Sequence, residues 1–458
     1  MTVTPVREPL RRVLWLTFHY PPLTSVGTHR NLGLTRWLPE HGWSPTVLTI
    51  QPRAGLATDP DLLARIPAQL HVHRVAAPHL FEELARWRRR DPSAESPSGA
   101  GSAEMEQRSL VGHLKELVSW PLLVPDVEWP WRWNAIRRGR ALLREQRPEC
   151  IVASSPPANT LLAAARLSAW SGIPWVADLR DPWAGNPFTM VPYAWLERRN
   201  ERLESRTLRS AACIVANTAR AAAELAARYP ALADRIVTVP NGFDPETART
   251  ASAEAPAQAA PAGVITLVHA GSLYGRRRLD TLLRALASEP DARPMVHVTL
   301  LGAGSEALAA QVCELGIGDR IALRPPVAHR EALAETRAAD IVLIAGVAGL
   351  KPESQVPAKL FEALALGKPV LTLSKQGGAI QETLDSAGAT YWRADPESET
   401  EIRTALAAIR AARREGRDFA SMRARQPDAF ALPNLARRFA EVLVRAAAVG
   451  AQARRSAR

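Results

Sequence analysis

Lys359 and Glu362 stand three residues apart in the stretch Lys351 to Val370, where Pro357 suits the first turn of a helix and Gly367-Lys368-Pro369 supplies its stop. Three apart on a helix is one face. That face presents an ammonium one turn in from free backbone amides, together with a carboxylate able to accept two hydroxyls. A ribose carrying a diphosphate fits all three. Of the chain's five lysines (Lys115, Lys351, Lys359, Lys368 and Lys375), four lie between positions 351 and 375, so the stretch differs chemically from its arginine-rich surroundings. The plainer alternative is a surface ion pair worth only ~0.2–0.5 kcal/mol.

Five other loops carry chemistry-bearing residues. The first strand runs into His19 to Arg30, where Gly27 allows close backbone approach and Thr28 is placed to cap the following helix. A second strand ends at Ser154-Ser155-Pro156-Pro157-Ala158-Asn159. A third delivers Asp178, Arg180 and Asp181, charges that cost several kcal/mol at such depth unless paired or facing a polar crevice. They read as a polar active-site wall or as a network closing the strand. In the second half, Gly271-Ser272 opens a turn leading to Arg276, Arg277 and Arg278, where positive charge at a helix start opposes the macrodipole and calls for an anion. Gly302-Ala303-Gly304-Ser305-Glu306-Ala307 has the form of a dinucleotide fingerprint. Arg324 stands where an NAD site needs an acid, which leaves an NADP-dependent oxidoreductase as one alternative.

The elements that must position these groups alternate along the whole chain. Strands read at Val13–Phe18, Thr46–Ile50, Val72–Val75, Cys150–Ser154, Trp175–Asp178, Cys213–Ala216 and Ile236–Val239, then at Thr266–Ala270, His297–Leu301, Ile321–Leu323, Ile341–Ile344, Val370–Leu373 and Thr390–Trp392, with helical patterns filling most gaps. That is the signature of α/β folds with doubly wound parallel sheets. A length of 458 residues exceeds what one core supports, so two domains are expected. The expected division is 1–245 with an insertion at about 80–120, a linker over 246–263, a second domain over 264–428, and a terminal helix and basic tail over 429–458.

Composition narrows the classes. Hydrophobic residues at 47% and charged residues at 23% are ordinary for a globular chain. Apolar runs are too short to cross a bilayer, the first residues lack a secretory apolar segment, and three scattered cysteines write neither a disulfide framework nor a zinc site. A cytoplasmic protein is expected. The net charge of +12 favours an anionic partner. Trp120, Trp129, Trp131 and Trp133 beside Arg132, Arg137 and Arg138 suit either an anionic membrane surface or packing under an insertion.

The motifs together resemble retaining glycosyltransferases of family 4, in the branch that builds bacterial surface polysaccharides. The likeness rests on the Pro-Pro, Gly and Arg opening, Ser154-Ser155-Pro156-Pro157, Pro174 to Trp183, Gly271 to Gly275, and Pro357 to Glu362. It implies the GT-B architecture, two Rossmann-like domains facing a cleft, with the sugar nucleotide on the second and the acceptor on the first. It implies that Glu362 takes the ribose hydroxyls, and that Lys359 with Arg276 and Arg277 meets the departing diphosphate, with Gly27 beside the same phosphates. Gly271, Ser272, Gly302, Gly304, Thr28 and Ser354 complete the expected donor site. Asp178, Arg180, Asp181 and Lys359 are the expected catalytic groups, and a final helix near Leu435–Ala446 is expected to return onto the first domain. No metal or other cofactor is required, because cations and helix starts can stabilise the leaving group. Where the wider family often carries Glu, this chain has Ser354, with Glu353 one place off, and Asp178, Arg180 and Asp181 stand where many members have His.

The resulting expectation is a cytoplasmic glycosyltransferase, peripheral at the inner membrane face, moving a sugar from a nucleotide diphosphate donor to a glycan or lipid-linked acceptor, with no nucleic-acid partner. The alternative of another class is a non-catalytic protein that binds sugar nucleotides within an assembly.

Overall fold

A computed structural model of the chain describes residues 9–77, 124–186, 191, 193–246, 249, 263–273, 279–289, 294–347, 349 and 353–456. The expected insertion with Trp120, most of the expected linker, and the turn bearing Arg276, Arg277 and Arg278 lie outside the described residues. The chain divides into two compact units. One comprises Met1–Asn217, Glu224–Thr238 and Ala436–Arg458, and the other Thr218–Ala223 and Val239–Leu435.

The first unit holds a parallel sheet of seven strands in the order β3-β2-β1-β4-β5-β6-β7. These are β1 (Arg11–Thr17), β2 (Trp43–Ile50), β3 (His71–Val75), β4 (Cys150–Ser155), β5 (Trp175–Leu179), β6 (Cys213–Ala216) and β7 (Ile236–Thr238). Strand β2 begins three residues earlier than its apolar run foretells, because Trp43, Ser44 and Pro45 stay in register with Arg11, Arg12 and Val13 of β1. The helices are α1 (Val26–Trp37), α2 (Asp61–Ala64), α3 (Trp129–Gln146), α4 (Ala158–Ser171) and α5 (Ala194–Arg209), and of α6 (Ala219–Arg228) the part from Glu224 onwards belongs to this unit. Strands buried on both faces read as continuous apolar runs, which is why β4 (Cys-Ile-Val-Ala-Ser-Ser) is buried throughout.

The second unit holds six parallel strands in the order β10-β9-β8-β11-β12-β13. They are β8 (Val264–Ala270), β9 (Met295–Leu301), β10 (Ile321–Arg324), β11 (Ile341–Ala345), β12 (Val370–Leu373) and β13 (Tyr391–Ala394), with helices α7 (Asp280–Ala287), α8 (Glu306–Glu314), α9 (His329–Ala338), α10 (Ala358–Ala365), α11 (Ala379–Ala387) and α12 (Glu399–Arg414). Both sheets reverse direction once, at β1/β4 and at β8/β11. In open parallel sheets ligands bind outside the strand carboxyl ends at such reversals, so two crevices are fixed by topology alone.

The last helix, α13 (Leu432–Ser456), returns to the first unit. Phe439 and Leu443 are fully buried four residues apart, and the Phe439 ring lies 5.0 Å from that of Trp15 in β1. Arg438 donates to the Thr238 carbonyl at 2.8 Å. Such an aromatic pair adds about 0.5–1.5 kcal/mol beyond the area it buries.

The tryptophan cluster separates by helical geometry. Two residues along a helix turn the side chain by about 200°. Trp131 is therefore core, with its ring 5.8 Å from Phe18, while Trp133 points outward and is 61% exposed.

Candidate functional site

At the β1/β4 reversal the first unit gathers His19, Gly27, Arg30, Ser154, Asp178 and Arg180. Thr28 does not cap α1. The helix starts three residues sooner, at Val26, and the Ser25 hydroxyl accepts from the Thr28 backbone N–H at 3.1 Å. Ser25 wins because its extended backbone (φ −165°, ψ 159°) aims its oxygen back at the first turn.

Asp178, the penultimate residue of β5, has no solvent exposure. Arg30, from α1, donates to its two oxygens at 2.8 and 3.3 Å, and Ser154, its register neighbour on β4, donates at 2.8 Å. A carboxylate so occupied orients its neighbours and has little left for a substrate. Beside it, Arg180 is 5% exposed. Its guanidinium donates to the Pro156 carbonyl at 3.0 Å, its backbone N–H to Ser155 at 3.2 Å, and its own carbonyl accepts from Asn217. Burial pulls the Arg180 pKa down, and Asp181 and then Asp178 act against that pull, which places Asp181 within electrostatic reach of it.

Gly27 explains itself here. A Cβ at this position would meet Arg180 Nη1 at 2.2 Å. Burial, aided by the Arg180 charge, lowers His19 to about 3 and keeps its ring neutral.

In the second unit, the β8/β11 reversal assembles Gly271, Ser272, Lys359 and Glu362 with two histidines that the spacing of motifs does not single out. Helix α10 places Lys359 at its second residue, and its ammonium lies 3.0 Å from His269 Nε2. A Cβ on Gly271 would come within 3.2 Å of that ammonium, and φ at Gly271 is +109°, so the turn needs glycine twice over. Glu362 Oε1 sits 2.9 Å from Nε2 of His329, the first residue of α9, with both side chains substantially open to solvent. Lys359 and Glu362 thus share a face, as their spacing predicts, but each takes a histidine within hydrogen-bonding distance.

The neighbouring positions are accounted for as well. The backbone N–H of Ala379 donates to the Glu353 carbonyl at 2.8 Å, and the buried Glu353 carboxylate lies where a Cβ on Gly378, at the start of α11, would meet it at 2.6 Å. The Ser354 carbonyl accepts from the Thr218 hydroxyl at 2.7 Å, both residues belonging to the second unit. Gly302 and Gly304 lie in the turn between β9 and α8, where Ser305 caps the helix. Arg324 is bound by Glu335 and, at 3.2 Å, by Glu331. A cation committed to two surface carboxylates on α9 does not wait for an NADP phosphate, and the oxidoreductase alternative loses its main prop.

Two family models match in turn: residues 97–242 that of a glycosyl transferase 4-like domain, and residues 264–411 that of glycosyl transferases group 1. Among curated proteins, the chain is 30% identical over 188 residues to a D-inositol 3-phosphate glycosyltransferase of Streptomyces scabiei (38% of this chain, 41% of that protein). It is 31% identical over 197 residues to the protein of the same name from an Arthrobacter species (41% of this chain, 45% of that protein). The chain thus spans about two fifths of the length of the curated relatives it matches. Solved structures cover far more of it. Sucrose-phosphate synthase from Thermosynechococcus elongatus superposes with a TM-score of 0.61 at 15% identity, over 94% of this chain and 98% of that one. HepE from Anabaena, in complex with UDP and glucose, gives 0.61 at 17%, over 95% and 99%. The fold is GT-B.

The crevice of the first unit yields two expectations. Arg30→Met leaves Asp178 buried without its countercharge and should cost about 3–5 kcal/mol in urea unfolding, while Arg30→Met combined with Asp178→Leu should recover a large part. A His whose native pKa is depressed stabilises the fold above its ordinary value of 6.5 and loses that contribution as pH falls towards about 3, because the unfolded chain takes a proton that the native one refuses. The unfolding midpoint of His19→Gln should therefore gain on that of the parent as pH drops through this window, and a constant difference would refute the assignment.

Proposed function

We propose that this chain, which belongs to the glycosyltransferases of the GT-B fold, transfers a sugar from a nucleoside diphosphate carrier to a glycan or lipid-linked acceptor with retention of configuration, in the assembly of a cell-surface polysaccharide. The observation that carries the reading is the placement of Lys359 beneath the Gly271 turn at the β8/β11 reversal, one helical turn from Glu362. Departure of the carrier breaks the bond between the anomeric carbon and a phosphate oxygen, and negative charge grows on that oxygen. An ammonium fixed beside the turn meets such charge best where water is excluded. Glu362 offers its carboxylate to the ribose hydroxyls and so sets the distance from the nucleoside to Lys359. In this reading Asp178 and Arg30 hold Arg180 for the acceptor side. The UDP in the complexes of the Anabaena neighbour supports a nucleoside diphosphate as the donor's anionic part.

Attachment to an anionic membrane surface belongs to the same reading. No described helix is long and apolar enough to cross a membrane. Helices α3, α4 and α5 of the first unit carry eleven arginines against four glutamates, a net +7 of the chain's +12. The exposed tryptophans among the described residues fall one on each of them: Trp133, Trp170 and Trp195. Arg140 and Arg144 lie 5.4 and 5.1 Å from the Trp170 ring. Arginine over tryptophan at an exposed site favours a boundary with an apolar depth and a phosphate-rich margin.

Release of nucleoside diphosphate from a panel of sugar nucleotides tests the transfer. Lys359→Ala should lower donor affinity or turnover roughly ten- to a hundredfold, the loss of one charged hydrogen bond of about 1.5–3 kcal/mol, and Glu362→Gln should raise the donor KM. Tight binding with no release from any donor would support the non-catalytic alternative instead. For the membrane, the parent should float with vesicles containing an anionic phospholipid and not with neutral ones, and Trp133→Ala with Trp170→Ala should weaken flotation. Equal binding to neutral vesicles would refute the electrostatic part.

A further inference from the structure

We propose that His269 is the positioning residue that aims Lys359 at the donor's diphosphate, an assignment that rests on the donor-site reading above. His269 is the penultimate residue of β8 and is 1% exposed. Its Nδ1 lies 3.0 Å from the Leu343 carbonyl of β11, one step beyond the register pair Val268 and Val342. Its Nε2 lies 3.0 Å from the Lys359 ammonium.

The chemistry of the two partners decides where the ring proton is. A carbonyl only accepts, so Nδ1 must carry the hydrogen. An ammonium only donates, so Nε2 must present its lone pair. The ring is therefore neutral and of one tautomer, because an imidazolium would set an N–H against an ammonium with no acceptor between them. The β8/β11 pairing fixes the ring, the ring fixes the direction of one ammonium hydrogen, and the absence of a side chain at Gly271 leaves the rest of the ammonium beside the turn. Lys359 is a long, flexible side chain, and holding it before the ligand arrives removes ordering that binding would otherwise have to supply.

Two polar replacements separate positioning from mere packing. Gln carries a carbonyl oxygen as far from the backbone as Nε2 and can accept from Lys359. Asn reaches only as far as Nδ1 and can serve Leu343 but not the lysine. With UDP and GDP as probes in titration calorimetry on the full chain, His269→Asn and His269→Leu should bind about tenfold more weakly than the parent, as expected for one hydrogen bond of ordinary strength. His269→Gln should stay within about threefold. In a Lys359→Ala background the three replacements should have no further effect on affinity. Nitrogen-15 spectra of the parent labelled in histidine provide a readout that does not depend on any variant folding, and they should show His269 as the neutral tautomer protonated at Nδ1. An imidazolium or the opposite tautomer overturns the proposal, as do Asn and Gln variants of equal affinity or losses that persist without Lys359. If the parent binds no nucleoside diphosphate while its spectra show the expected tautomer, the donor-site reading fails and the proposal falls with it.

Discussion

An ionised carboxylate with no access to water can persist only if its charge is met within the fold, and the first unit's crevice is organised around that constraint. Asp178 sits at the carboxyl end of a central strand, where parallel topology gathers loops from several strands. Arg30 reaches it from α1, Ser154 from the adjoining strand, and Arg180 follows two residues later along the chain. Once the pair is formed, the start of α1 is pinned against the turn after β5, and only a glycine fits at position 27. Two charges thereby fix the approach of backbone segments that local propensity alone would leave loose.

The second unit meets the same demand by other means. In the proposed reading its reversal point turns Lys359 towards a diphosphate, with Glu362 one turn along the same helix. Histidines occupy the intervening places, His269 beneath Lys359 and His329 beside Glu362. In the proposed arrangement the lone pair of His269 satisfies a donor, the Lys359 ammonium, without cancelling the positive charge that a diphosphate would seek. The first unit thus compensates its buried charge internally, and the proposed function has the second compensate its own with a bound diphosphate.

Much of this was legible in one dimension. Alternating apolar runs and helical spacings imply parallel sheets, and the i,i+3 relation of Lys359 and Glu362 implies one shared face; both are local signals. What escaped depends on residues far apart. Arg30 and Asp178 are 148 positions apart, and His269 and Lys359 are 90 apart. No periodicity links them, because register between strands is set by sheet pairing. The helix cap at Ser25 rather than Thr28 turned on a backbone angle that residue type does not specify. Trp131 and Trp133 looked alike as neighbours of arginine until the helix phase divided them.

The first unit is assembled from both ends of the chain. Phe439, which packs on Trp15, follows the whole of the second unit in sequence. A ribosome therefore presents residues 239–435, all of the second unit but Thr218–Ala223, as one continuous stretch, while the earlier-made sheet waits with one flank uncovered until the final helix emerges. During that interval the indole of Trp15 lacks the phenyl ring that later shields it, so the order of manufacture runs opposite to the order of completion.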